Sequence, residues 1–568
     1  MDTRSSTTEG TPDRPWLGAY PAVPGWTFEQ APETLPQVLD DAVRRFGARP
    51  AMDFFGRRWT YAQLGSLVDR AAEGFRRLGV TPGARVGLCL PNTPYFVVAY
   101  FGALKAGAVV VNFNPLNVAE EMAAQARDAG CEVMLAPDLE PIFGRVMSLL
   151  GTTPVRRVVA CRFARALPPV KAVAFRVLKR ADIARVPRGD DRVLGFEALV
   201  AGPPMADAPP VRPEDLAVLQ YTGGTTGAPK GVMLTHANLT ANLRQVQRWF
   251  TTARDGEERT LAVLPFFHVF AMTVAMNASL GWGAEIVMLP RYDHAALVAA
   301  LRRRRPTIFP GVPTLFKALL DKQTRREHLA SVKSCISGGA PLPLEVKRAF
   351  EAASGCVLVE GYGLTEASPV CFCNPLEGEN RAGTIGLPMP GVEAEIRALD
   401  DPMRALPPGE RGELVVRGPN VMTGYWQRPD ETAKVMLPGG WLRTGDVGIM
   451  DAQGYVQLVD RIKDLILCSG FNVYPRAIEE ALYRHPDIAA ATVVGMPDDY
   501  RGESPAAFVQ PREGATLTEE ALRAFLSDKL SPIEMPRRIE LRPELPRTAV
   551  GKLSKKELRE ELLRDRPA

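Results

Sequence analysis

The stretch YTGGTTGAPKG, residues 221–231, combines glycines, hydroxyl side chains and one lysine directly after the apolar run LAVLQ. Glycine lets backbone N–H groups approach an anion closely. Thr222, Thr225 and Thr226 add hydroxyl donors, and Lys230 adds a positive charge. The stretch therefore predicts a loop that binds phosphate, with a mobile hairpin turn rich in glycine and threonine as the alternative.

This loop differs from the two commonest phosphate-binding motifs. In a P-loop the lysine is followed by Ser or Thr, whose hydroxyl ligates magnesium, whereas Gly231 follows Lys230 here. The dinucleotide-binding motif GxGxxG also fails, because Gly223, Gly224 and Gly227 have a different spacing. The compound that carries the phosphate must therefore be inferred from the rest of the sequence.

A second lysine, Lys552, ends the glycine-containing stretch PRTAVGK at 546–552. Ser554 and Glu557 form a capping box, so a helix is predicted to begin directly behind this lysine. Lys552 is thus expected on a mobile loop that is anchored by the helix behind it. A lysine taken alone is usually a surface residue, so its role depends on the neighbouring motifs.

The elements that position these residues follow a βα alternation from about residue 35 to residue 460. Helical patterns such as TYAQLGSLVDRAAEGFRRLG are followed by short apolar runs such as RVGLCL, AVVVNF and EVMLA. The alternation recurs with AEIVML, a helix over 295–304 and TIFPGVP, and again from SCISGGAPLP to CVLVEGYGLTE. This pattern predicts an α/β fold with largely parallel sheets.

Beyond Ala382 the pattern changes to short strands between Gly and Pro turns, which predicts a small β-rich subdomain. A boundary follows near residue 462, and the remaining residues indicate the order β-α-β-β-α-β. There Pro475 is predicted to begin one helix, and Thr516 with Glu519 to form the capping box of the next. The predicted domains are a disordered tail over 1–30, a large N-terminal domain over 31–462 and a small α+β C-terminal domain over 463–568.

Composition excludes several classes of protein. A chain of 568 residues is too long for one hydrophobic core, which agrees with several domains. Its net charge of +4, from 69 basic and 65 acidic residues, implies no nucleic-acid partner. The eight cysteines are scattered, as expected in a reducing compartment, and the pair Cys371 and Cys373 lacks a second pair of metal ligands.

No part of the sequence predicts a membrane span or a signal peptide. The polar start MDTRSSTTEGTPDRPW has no apolar core of the kind that a signal peptide needs. The longest apolar stretch, YFVVAYFGALKAGAVVVNF, is interrupted by Lys105 and glycines, so it predicts a buried helix followed by a buried strand. We therefore expect a cytoplasmic protein.

One segment, LPPVKAVAFRVLKRADIARVPR at 167–188, is both apolar and basic. It places Val173, Phe175 and Val177 among Lys171 and Arg176. Such an amphipathic stretch can lie on an anionic lipid surface, which predicts peripheral contact with the inner face of the cell membrane. The alternative is a solvated surface helix or loop.

Five motifs occur in one order along the chain: YTGGTTGAPKG, EGYGLTE at 360–366, GWLRTGD at 440–446, DRIKDLI at 460–466 and PRTAVGK. Their order and approximate spacing resemble those of the adenylate-forming enzymes, the AMP-forming acyl-CoA synthetases. The resemblance extends from about residue 30 to residue 565. Three stretches are similar in sequence to bacterial long-chain fatty-acid–CoA ligases: LQYTGGTTGAPKGVMLTHANL, GWLRTGD and LCSGFNVYP.

The resemblance implies both a fold and a reaction. The fold has a large N-terminal adenylate-forming domain, with two α/β subdomains and a β-rich subdomain, and a small mobile α+β C-terminal domain. In the reaction a carboxylate attacks the α-phosphorus of ATP and gives acyl-AMP and pyrophosphate; a thiol then attacks the acyl carbon and expels AMP. The implied ligands are a small-molecule carboxylic acid, ATP, Mg²⁺ and coenzyme A.

The resemblance assigns several residues to the phosphates. Glu366 would act as the ligand of a Mg²⁺ that bridges them, since a hard divalent cation neutralises the charge that builds as pyrophosphate leaves. Thr365 would contact the α-phosphate. The pyrophosphate half of ATP would be held by Thr222, Gly223, Gly224, Thr225, Thr226, Gly227 and Lys230.

Adenine and ribose have their own assigned residues. The resemblance implies that Tyr362 lies against adenine. Gly339 and Gly361 would let the base approach the backbone. Asp446 and Arg461 would bind the ribose, because a carboxylate can accept hydrogen bonds from both hydroxyls.

The catalytic assignments centre on Lys552, whose ammonium would contact both the carboxylate and the α-phosphate in the first half-reaction. A cation placed at developing charge contributes on the order of 10²–10³ in rate. His268, in PFFHVF, would line the carboxylate site and the thiol path, although a lone histidine with apolar neighbours is more often a core residue. His236, which opens a helix after Thr235, is interpreted as structural.

The second half-reaction involves the C-terminal domain. Lys463 falls at the hinge position of the family, and the domain would swing about it. Ser469, Gly470 and Phe471 would then border the pantetheine channel of coenzyme A. The alternative for this stretch is an ordinary turn before the helix at Pro475.

Three classes of function remain open at this point. The leading interpretation is an acyl-CoA ligase for medium- to long-chain fatty acids, with dicarboxylic acids such as pimelate, or aryl acids, as alternative substrates. A second is an acyl-AMP ligase that loads a separate carrier protein; the chain ends sixteen residues after Lys552 without a carrier domain. A third is an inactive scaffold or lipid-binding protein, which the presence of Lys230, Glu366, Asp446 and Arg461 disfavours.

Overall fold

The computed structural model of the protein describes residues 14–29, 31–222, 229–322, 324–469, 471–548 and 553–564. The strands within these residues are, in chain order, β1 (Pro50–Phe54), β2 (Arg57–Thr60), β3 (Arg85–Leu88), β4 (Val109–Asn112), β5 (Cys131–Pro137), β6 (Arg157–Cys161), β7 (Val193–Gly195), β8 (Leu216–Thr222), β9 (Lys230–Thr235), β10 (Arg259–Ala262), β11 (Glu285–Met288), β12 (Ile308–Gly311), β13 (Ser334–Ser337), β14 (Val357–Gly363), β15 (Val370–Cys373), β16 (Leu387–Pro388), β17 (Glu393–Arg397), β18 (Arg411–Arg417), β19 (Gly424–Tyr425), β20 (Met436–Leu437), β21 (Trp441–Met450), β22 (Val456–Arg461), β23 (Ile466–Cys468), β24 (Phe471–Val473), β25 (Ile488–Asp498), β26 (Gly502–Pro511) and β27 (Arg538–Leu541).

The α-helices within the same residues are α1 (Leu35–Phe46), α2 (Tyr61–Arg77), α3 (Pro94–Lys105), α4 (Ala119–Ala129), α5 (Ile142–Met147), α6 (Phe163–Ala166), α7 (Pro169–Leu178), α8 (Phe196–Leu199), α9 (His236–Trp249), α10 (Ala278–Gly281), α11 (His294–Arg304), α12 (Pro313–Asp321), α13 (Arg326–Leu329), α14 (Leu344–Ser354), α15 (Pro429–Val435), α16 (Pro475–Tyr483), α17 (Glu519–Leu526) and α18 (Lys555–Arg564). A π-helix, Ala271–Asn277, leads into α10. Short 3₁₀ helices include Pro15–Gly18, Thr365–Ala367 and Ile462–Asp464.

Two mostly parallel sheets form the α/β part of the fold. Within the described residues, one has eight strands in the order β19-β9-β8-β4-β3-β5-β6-β7 and the other nine in the order β16-β15-β14-β13-β12-β10-β11-β1-β2. The inner pairs are parallel, for example β3 with β4 and β12 with β13. The predicted α/β fold is thus confirmed. The antiparallel strand β9 follows β8, and the antiparallel strand β15 follows β14. Both β8 and β14 carry candidate site residues.

The longest apolar stretch forms a buried helix and a buried strand, as predicted. Residues 94–104 of α3 are all buried, and so are the four residues of β4. Lys105 ends α3 at the surface, where its ammonium lies 2.8 Å from Asp40 and 2.7 Å from Asp69. Because β4 is buried on both faces, its sequence is a continuous apolar run up to Asn112.

The later residues form two smaller sheets. The antiparallel sheet β17-β18-β21-β20, with β22 paired to β21, forms the predicted β-rich part. The C-terminal sheet has the order β24-β23-β26-β25, with β27 paired to β26. It adds β24 to the predicted pattern, because the short hairpin β23–β24 was expected as a single strand and a turn. The boundary near residue 462 stays a prediction.

The cap of one C-terminal helix differs from the prediction. Pro475 begins α16 as expected. The N-cap of α17 is Thr518, whose side chain accepts a hydrogen bond from the Ala521 N–H at 3.1 Å, so the prediction of Thr516 is wrong. With this cap Glu519 and Glu520 both fall in the first turn, where negative side chains stabilise the positive end of the helix.

The prediction of a disordered tail over residues 1–30 is wrong for residues 14–29. Trp16 is only 1% exposed and packs beside Trp26, with ring centres 6.4 Å apart. Arg14 forms an ion pair with Glu393, and the Tyr20 hydroxyl donates to the carbonyl of Pro388 at 2.9 Å. Burial of these aromatic side chains fixes the segment despite the polar residues around it.

Two further features concern the whole described chain. Each of the eight cysteines is a buried free thiol. Taken over the described ranges, no helix has both the length and the apolar character required to cross a bilayer.

Candidate active site

The hairpin β8–β9 carries the predicted phosphate loop. Thr222, the last residue of β8, lies opposite Lys230, the first residue of β9. This pairing closes the base of the loop. Gly223, Gly224, Thr225, Thr226 and Gly227 lie outside the described residues, so their contacts with phosphate stay predictions.

Lys230 reaches residues that come about two hundred positions later in the chain. Its ammonium donates to Glu431 Oε2 at 2.5 Å and lies 5.1 Å from the centre of the Tyr425 ring. Hydrogen bonds from Lys230 and Lys434 lower the pKa of Glu431 to about 2. Glu431 is therefore charged at neutral pH, and an anionic ligand that binds Lys230 must compete with this carboxylate.

Tyr425 joins the lysine to Glu366. Its hydroxyl donates to Glu366 Oε1 at 2.8 Å, while its ring faces the ammonium of Lys230. Thr365 and Glu366 lie side by side in the 3₁₀ helix that follows β14, and the carbonyl of Glu366 accepts from the N–H of Met422 at 2.8 Å. The sequence motifs around Lys230 and Glu366 thus meet through β19, which pairs with β9.

Residues from three motifs meet around Asp446. The Tyr362 hydroxyl donates to Asp446 Oδ2 at 2.5 Å, and Arg461 Nε lies 3.3 Å from Asp446 Oδ1. Asp446 and Arg461 are partners in the register of β21 and β22. The charge of Asp446 raises the pKa of Arg461, and burial raises the pKa of Tyr362 well above its usual value. The arrangement is a buried carboxylate with one donor on each oxygen.

The two candidate glycines have structural reasons to be glycine. Gly339 follows β13 with a φ of +78°, a conformation that other residues rarely adopt. A Cβ on Gly361 would lie 2.8 Å from Ile336 Cδ1, so a larger residue there would have to displace this buried side chain. Their approach to adenine stays a prediction.

His268 lies on the histidine loop, residues 263–270, between β10 and the π-helix. It is half-buried, and its Nδ1 accepts a hydrogen bond from the N–H of Phe270 at 3.3 Å. A neutral imidazole that accepts at Nδ1 carries its proton on Nε2. π-Helices are rare and occur frequently at functional sites, which agrees with a role for this segment.

Two amide side chains hold the histidine loop in place. Asn92 Oδ1 accepts from the N–H of Phe266 at 2.7 Å, and Gln220 Nε2 donates to the carbonyl of Phe267 at 2.9 Å. Gln220 lies two residues before Thr222 on β8. The same strand therefore positions the base of the phosphate loop and the histidine loop.

His236 has a different environment, as expected for a structural residue. It is buried, and its Nδ1 accepts from the N–H of Leu35 at 3.3 Å. Burial lowers its pKa to about 4. Thr235 caps the helix that begins at His236, which fixes the position of the ring.

The predicted hinge lies in the 3₁₀ helix between β22 and β23. Loss of solvation and the neighbouring Arg461 lower the pKa of Lys463. The next residue, Asp464, is buried and lies 3.0 Å from Arg559 of α18. The last helix is therefore tied to the segment that joins the two predicted domains.

Lys552 lies outside the described residues, but the flanks of its loop are described. Arg547 and Leu553 form an isolated antiparallel bridge, and the Ser554 N–H donates to the carbonyl of Pro546 at 2.8 Å. The helix predicted behind the loop begins at Lys555, whose ammonium lies 2.9 Å from Glu479. The two flanks of the loop are thus joined to each other, and a helix follows it, as the sequence predicts.

The stretch assigned to coenzyme A forms the tip of the hairpin β23–β24. Ser469 has a φ of 51°, and Phe471 pairs with Cys468 across the turn. Phe471 is 66% exposed, whereas Gly470 lies outside the described residues. The pairing of Cys468 with Phe471 is described, and the contact of this stretch with pantetheine stays a prediction.

The site combines a lysine, a half-buried carboxylate and a buried carboxylate with polar partners, and known proteins resemble the chain over most of its length. The family model of the AMP-binding enzyme matches residues 39–426, and that of the AMP-binding enzyme C-terminal domain matches residues 477–552. The chain belongs to the AMP-binding enzyme family. The first match includes Lys230 and Glu366, and the second ends at Lys552.

Two relatives of this AMP-binding enzyme extend over nearly the whole chain. It is 40% identical to the long-chain-fatty-acid–CoA ligase of Bacillus subtilis (strain 168), with 96% of this chain and 98% of the relative covered. It is 34% identical to a feruloyl-CoA synthase of Amycolatopsis sp, with 91% of this chain and 97% of that protein covered.

Solved structures share the fold of this AMP-binding enzyme. ATP-bound MatB from Rhodopseudomonas palustris has a TM-score of 0.79 at 27% identity, covering 93% of this chain and 99% of that one. A fatty acyl CoA synthetase of Mycobacterium tuberculosis has a TM-score of 0.68 at 25% identity, covering 93% and 98%. Both agree with the predicted adenylate-forming architecture.

The sequence alone does not indicate that Tyr425 and Glu431 belong to the site. Their stretch, GYWQRPDE, lacks a phosphate-binding motif. Pro429 with two acidic residues after it marks the start of a helix, but this signal does not reveal that Glu431 faces Lys230. The pairing of β19 with β9 brings Tyr425 into the site, and α15, which follows β19, brings Glu431.

Proposed function

We propose that this AMP-binding enzyme is an ATP-dependent long-chain fatty-acid–CoA ligase. It activates a fatty acid as acyl-AMP with release of pyrophosphate, and it transfers the acyl group to coenzyme A with release of AMP. The link from Lys230 through Tyr425 to Glu366 carries the proposal, because it joins a cation to a hard carboxylate ligand. Asp446, with Tyr362 and Arg461 beside it, supplies a ribose-type acceptor. Nearly full-length similarity to fatty-acid–CoA ligases supports the substrate class.

The phosphates of ATP would bind at the mouth of the hairpin β8–β9. Lys230 would exchange Glu431 for a phosphate oxygen, and Thr222 with the loop beyond it would add hydroxyl and N–H donors. Thr365 would donate to the α-phosphate. These donors would hold the triphosphate while the carboxylate of the fatty acid attacks its α-phosphorus.

Glu366 fits the requirements of a Mg²⁺ ligand. It is a half-buried carboxylate linked to Lys230 through Tyr425, and Mg²⁺ in phosphoryl-transfer enzymes is commonly bound by one or two carboxylates together with substrate phosphates. The described residues contain no group of three or more His, Cys, Asp or Glu placed to hold a metal, so phosphate oxygens and water would complete the coordination. The bound cation supplies positive charge where pyrophosphate leaves.

The nucleoside would bind around Asp446. Its carboxylate would accept the ribose hydroxyls, and Arg461 would stay beside it as a donor. Tyr362 would present its ring to adenine, with Gly339 and Gly361 at the backbone beside the base. In this arrangement one buried anion orients the nucleoside and thereby the α-phosphate.

The two half-reactions would use different parts of the C-terminal domain. Lys552 would contact the acid carboxylate and the α-phosphate during adenylation. Rotation about Lys463 would then bring Ser469, Gly470 and Phe471 to the pantetheine channel. His268, on the histidine loop, would line the site where the thiol attacks the activated carboxylate.

One specific observation favours a second candidate for the acid substrate. The feruloyl-CoA synthase relative favours an aryl acid as the second candidate substrate. Higher identity over a longer stretch to the fatty-acid–CoA ligase supports the long-chain acid. The buried free thiols fit the reducing cytoplasm, where this reaction is expected to take place.

The proposal is tested by measuring thioester formation with ATP, Mg²⁺ and coenzyme A across palmitate, octanoate, pimelate, benzoate and ferulate. We expect the highest kcat/KM with palmitate and no thioester without coenzyme A. A preference for ferulate or benzoate would replace the proposal by the aryl-acid reaction. Acyl-AMP that accumulates undiminished in the presence of coenzyme A would indicate a carrier protein as the acceptor, and inactivity with every acid would support the scaffold interpretation.

A further inference from the structure

We propose that helix α7, Pro169–Leu178, is a docking surface for an anionic lipid bilayer. Three valines form what we call the α7 stripe: Val170, Val173 and Val177, which are 82%, 61% and 70% exposed. Leu178, at the end of the helix, is 80% exposed. Neighbouring apolar side chains this open to solvent mark an interaction surface, whereas single exposed ones are ordinary.

The geometry of the helix separates the stripe from the core. Ala172 is buried and Phe175 packs on Phe163, with ring centres 5.1 Å apart, so this side of α7 faces the protein. The valines at i, i+3 and i+7 share the opposite face, because an α-helix completes a turn in about 3.6 residues. The helix is therefore anchored by one apolar face and offers a second one outward.

Basic side chains surround the stripe. Lys171 and Arg176 lie on its two flanks, and Lys179 and Arg180 follow at the end of the helix; all four are exposed. Lys171 donates to the carbonyl of Phe55 at 3.0 Å, which holds its charge near the protein surface, and Lys179 lies 3.2 Å from Asp182. Residues 167–188 contain six basic residues and one acidic residue, a net charge of +5, whereas the whole chain carries +4.

The exposed valines and the basic side chains together indicate which partner binds α7. An apolar stripe between basic flanks matches the boundary of a bilayer, where acyl chains lie beneath anionic headgroups. A second copy of this chain would have to place the same concentrated positive charge against itself, which is unfavourable. The charge complementarity therefore favours an anionic lipid surface over self-association.

The position of α7 connects the surface to the active site. The segment that leads into α7 leaves the sheet after β6, at the carboxyl edge from which the phosphate loop leaves after β8. These strands are four positions apart, roughly 20 Å at the usual strand spacing. The Tyr95 hydroxyl also donates to the carbonyl of Arg162 at 2.9 Å, and Tyr95 follows Asn92, which holds the histidine loop. If the proposed function holds, docking would place this edge at the membrane in which long-chain acids are dissolved.

The test is binding of the full chain, without substrates, to vesicles of phosphatidylcholine alone or mixed with phosphatidylglycerol. We expect cosedimentation with the mixed vesicles only, and weaker binding as added salt shortens the screening length. The double variant Val173→Glu/Val177→Glu should reduce binding by about tenfold or more. Leu563→Glu, at a leucine that is 60% exposed on α18, is the matched control and should bind like the wild type.

Octanoate activity without vesicles and sedimentation velocity complete the experiment. Both variants should keep the wild-type rate with this soluble acid, which shows that they fold. Equal vesicle binding by the wild type and the double variant, or absence of binding by the wild type, would overturn the proposal. A wild-type dimer that the double variant dissociates would do the same, by assigning the stripe to a second copy. Vesicle binding without any ligase activity would contradict the proposed function and leave the docking surface intact.

Discussion

At the scale of single residues, the site depends on polar pairs between distant parts of the chain. Tyr425 contacts Lys230 with its ring and donates to Glu366 with its hydroxyl at 2.8 Å. A hydrogen-bond partner that orients a metal-binding carboxylate typically changes metal affinity by about 10–100-fold when it is removed. Tyr425 is therefore expected to act on Mg²⁺ through Glu366.

Tyr425→Phe should raise the Mg²⁺ concentration for half-maximal adenylation by about tenfold. The KM for the acid should stay within about twofold, because the variant removes only the hydroxyl. Tyr221→Phe is the matched control, since Tyr221 donates to Asp128 at 2.6 Å and has no bond to Glu366. Mg²⁺ titrations of pyrophosphate release measure both variants, and an unchanged or equal Mg²⁺ requirement would contradict the role of Tyr425.

Glu360, the first residue of EGYGLTE, links the motif to stability. It is buried, and its carboxylate accepts from the N–H of Leu342 at 3.2 Å. Burial raises its pKa from 4.5 to about 7, against the opposing charge of Arg476. Between these pH values the folded protein binds a proton that the unfolded chain has lost, so this group lowers the free energy of unfolding as pH rises through that range.

Glu360→Gln should remove this pH dependence. Relative to the wild type, the variant should gain up to roughly 3 kcal/mol in the free energy of unfolding between about pH 5 and about pH 8. Urea denaturation at the two pH values measures the gain, with the exposed Glu410→Gln as the control. A stability difference that is the same at both pH values would rule out an elevated pKa for Glu360.

At the scale of elements, the connection between the two predicted domains combines a proposed hinge with a group of charged side chains. Lys463 lies in the 3₁₀ helix between β22 and β23, and α18 reaches this region through Arg559 and Lys555. Burial alone would lower the pKa of Lys555, but the charge of Glu479, followed by Asp460 and Asp464, raises it. The helix behind the Lys552 loop is thus held by carboxylates on both sides of the hinge.

Substitutions at the two lysines should separate the half-reactions. Lys463→Pro should keep acid-dependent pyrophosphate release but lower thioester formation by about 10² or more, because proline fixes φ at the hinge. Lys552→Ala should abolish pyrophosphate release and spare thioester formation from supplied acyl-AMP. Lys463→Ala, which leaves φ free, is the control for the hinge. Equal loss of both half-reactions in each variant would contradict this division of roles.

Removal of the half-buried Lys555 should loosen α18. Lys555→Met removes the ion pair of Glu479, whose carboxylate keeps its hydrogen bonds from Thr492 and Val493, and should cost up to about 3 kcal/mol in the free energy of unfolding of the C-terminal part. Lys556→Met is the matched control, because Lys556 is 57% exposed and its ammonium lies 3.8 Å from Glu560, so it should change stability by less than about 0.5 kcal/mol. Limited proteolysis in urea measures both, and equal stability of the two variants would refute the role of Lys555.

At the scale of the whole molecule, the sequence predicts the sheets better than the contacts between them. Strands such as β4 and helices such as α3 follow from local apolar patterns, and the five motifs single out Lys230, Glu366 and Asp446 as site residues. The partners Tyr425 and Glu431 could not be predicted, because their contacts depend on how β19 pairs with β9 across nearly two hundred residues. The burial of Trp16 within a polar stretch of sequence has the same cause, since Gly454, against which it packs, lies far away in the sequence.

The most direct measurement uses palmitate whose carboxylate carries a heavy oxygen isotope, incubated with the protein, ATP, Mg²⁺ and coenzyme A. If the carboxylate attacks the α-phosphorus and the thiol then expels AMP, one heavy oxygen must appear in AMP, together with one palmitoyl-CoA for each AMP. Mass spectrometry of the nucleotides reads this transfer. Unlabelled AMP, or heavy oxygen in inorganic phosphate with ADP as the nucleotide product, would contradict an acyl-AMP route and the proposed ligase reaction.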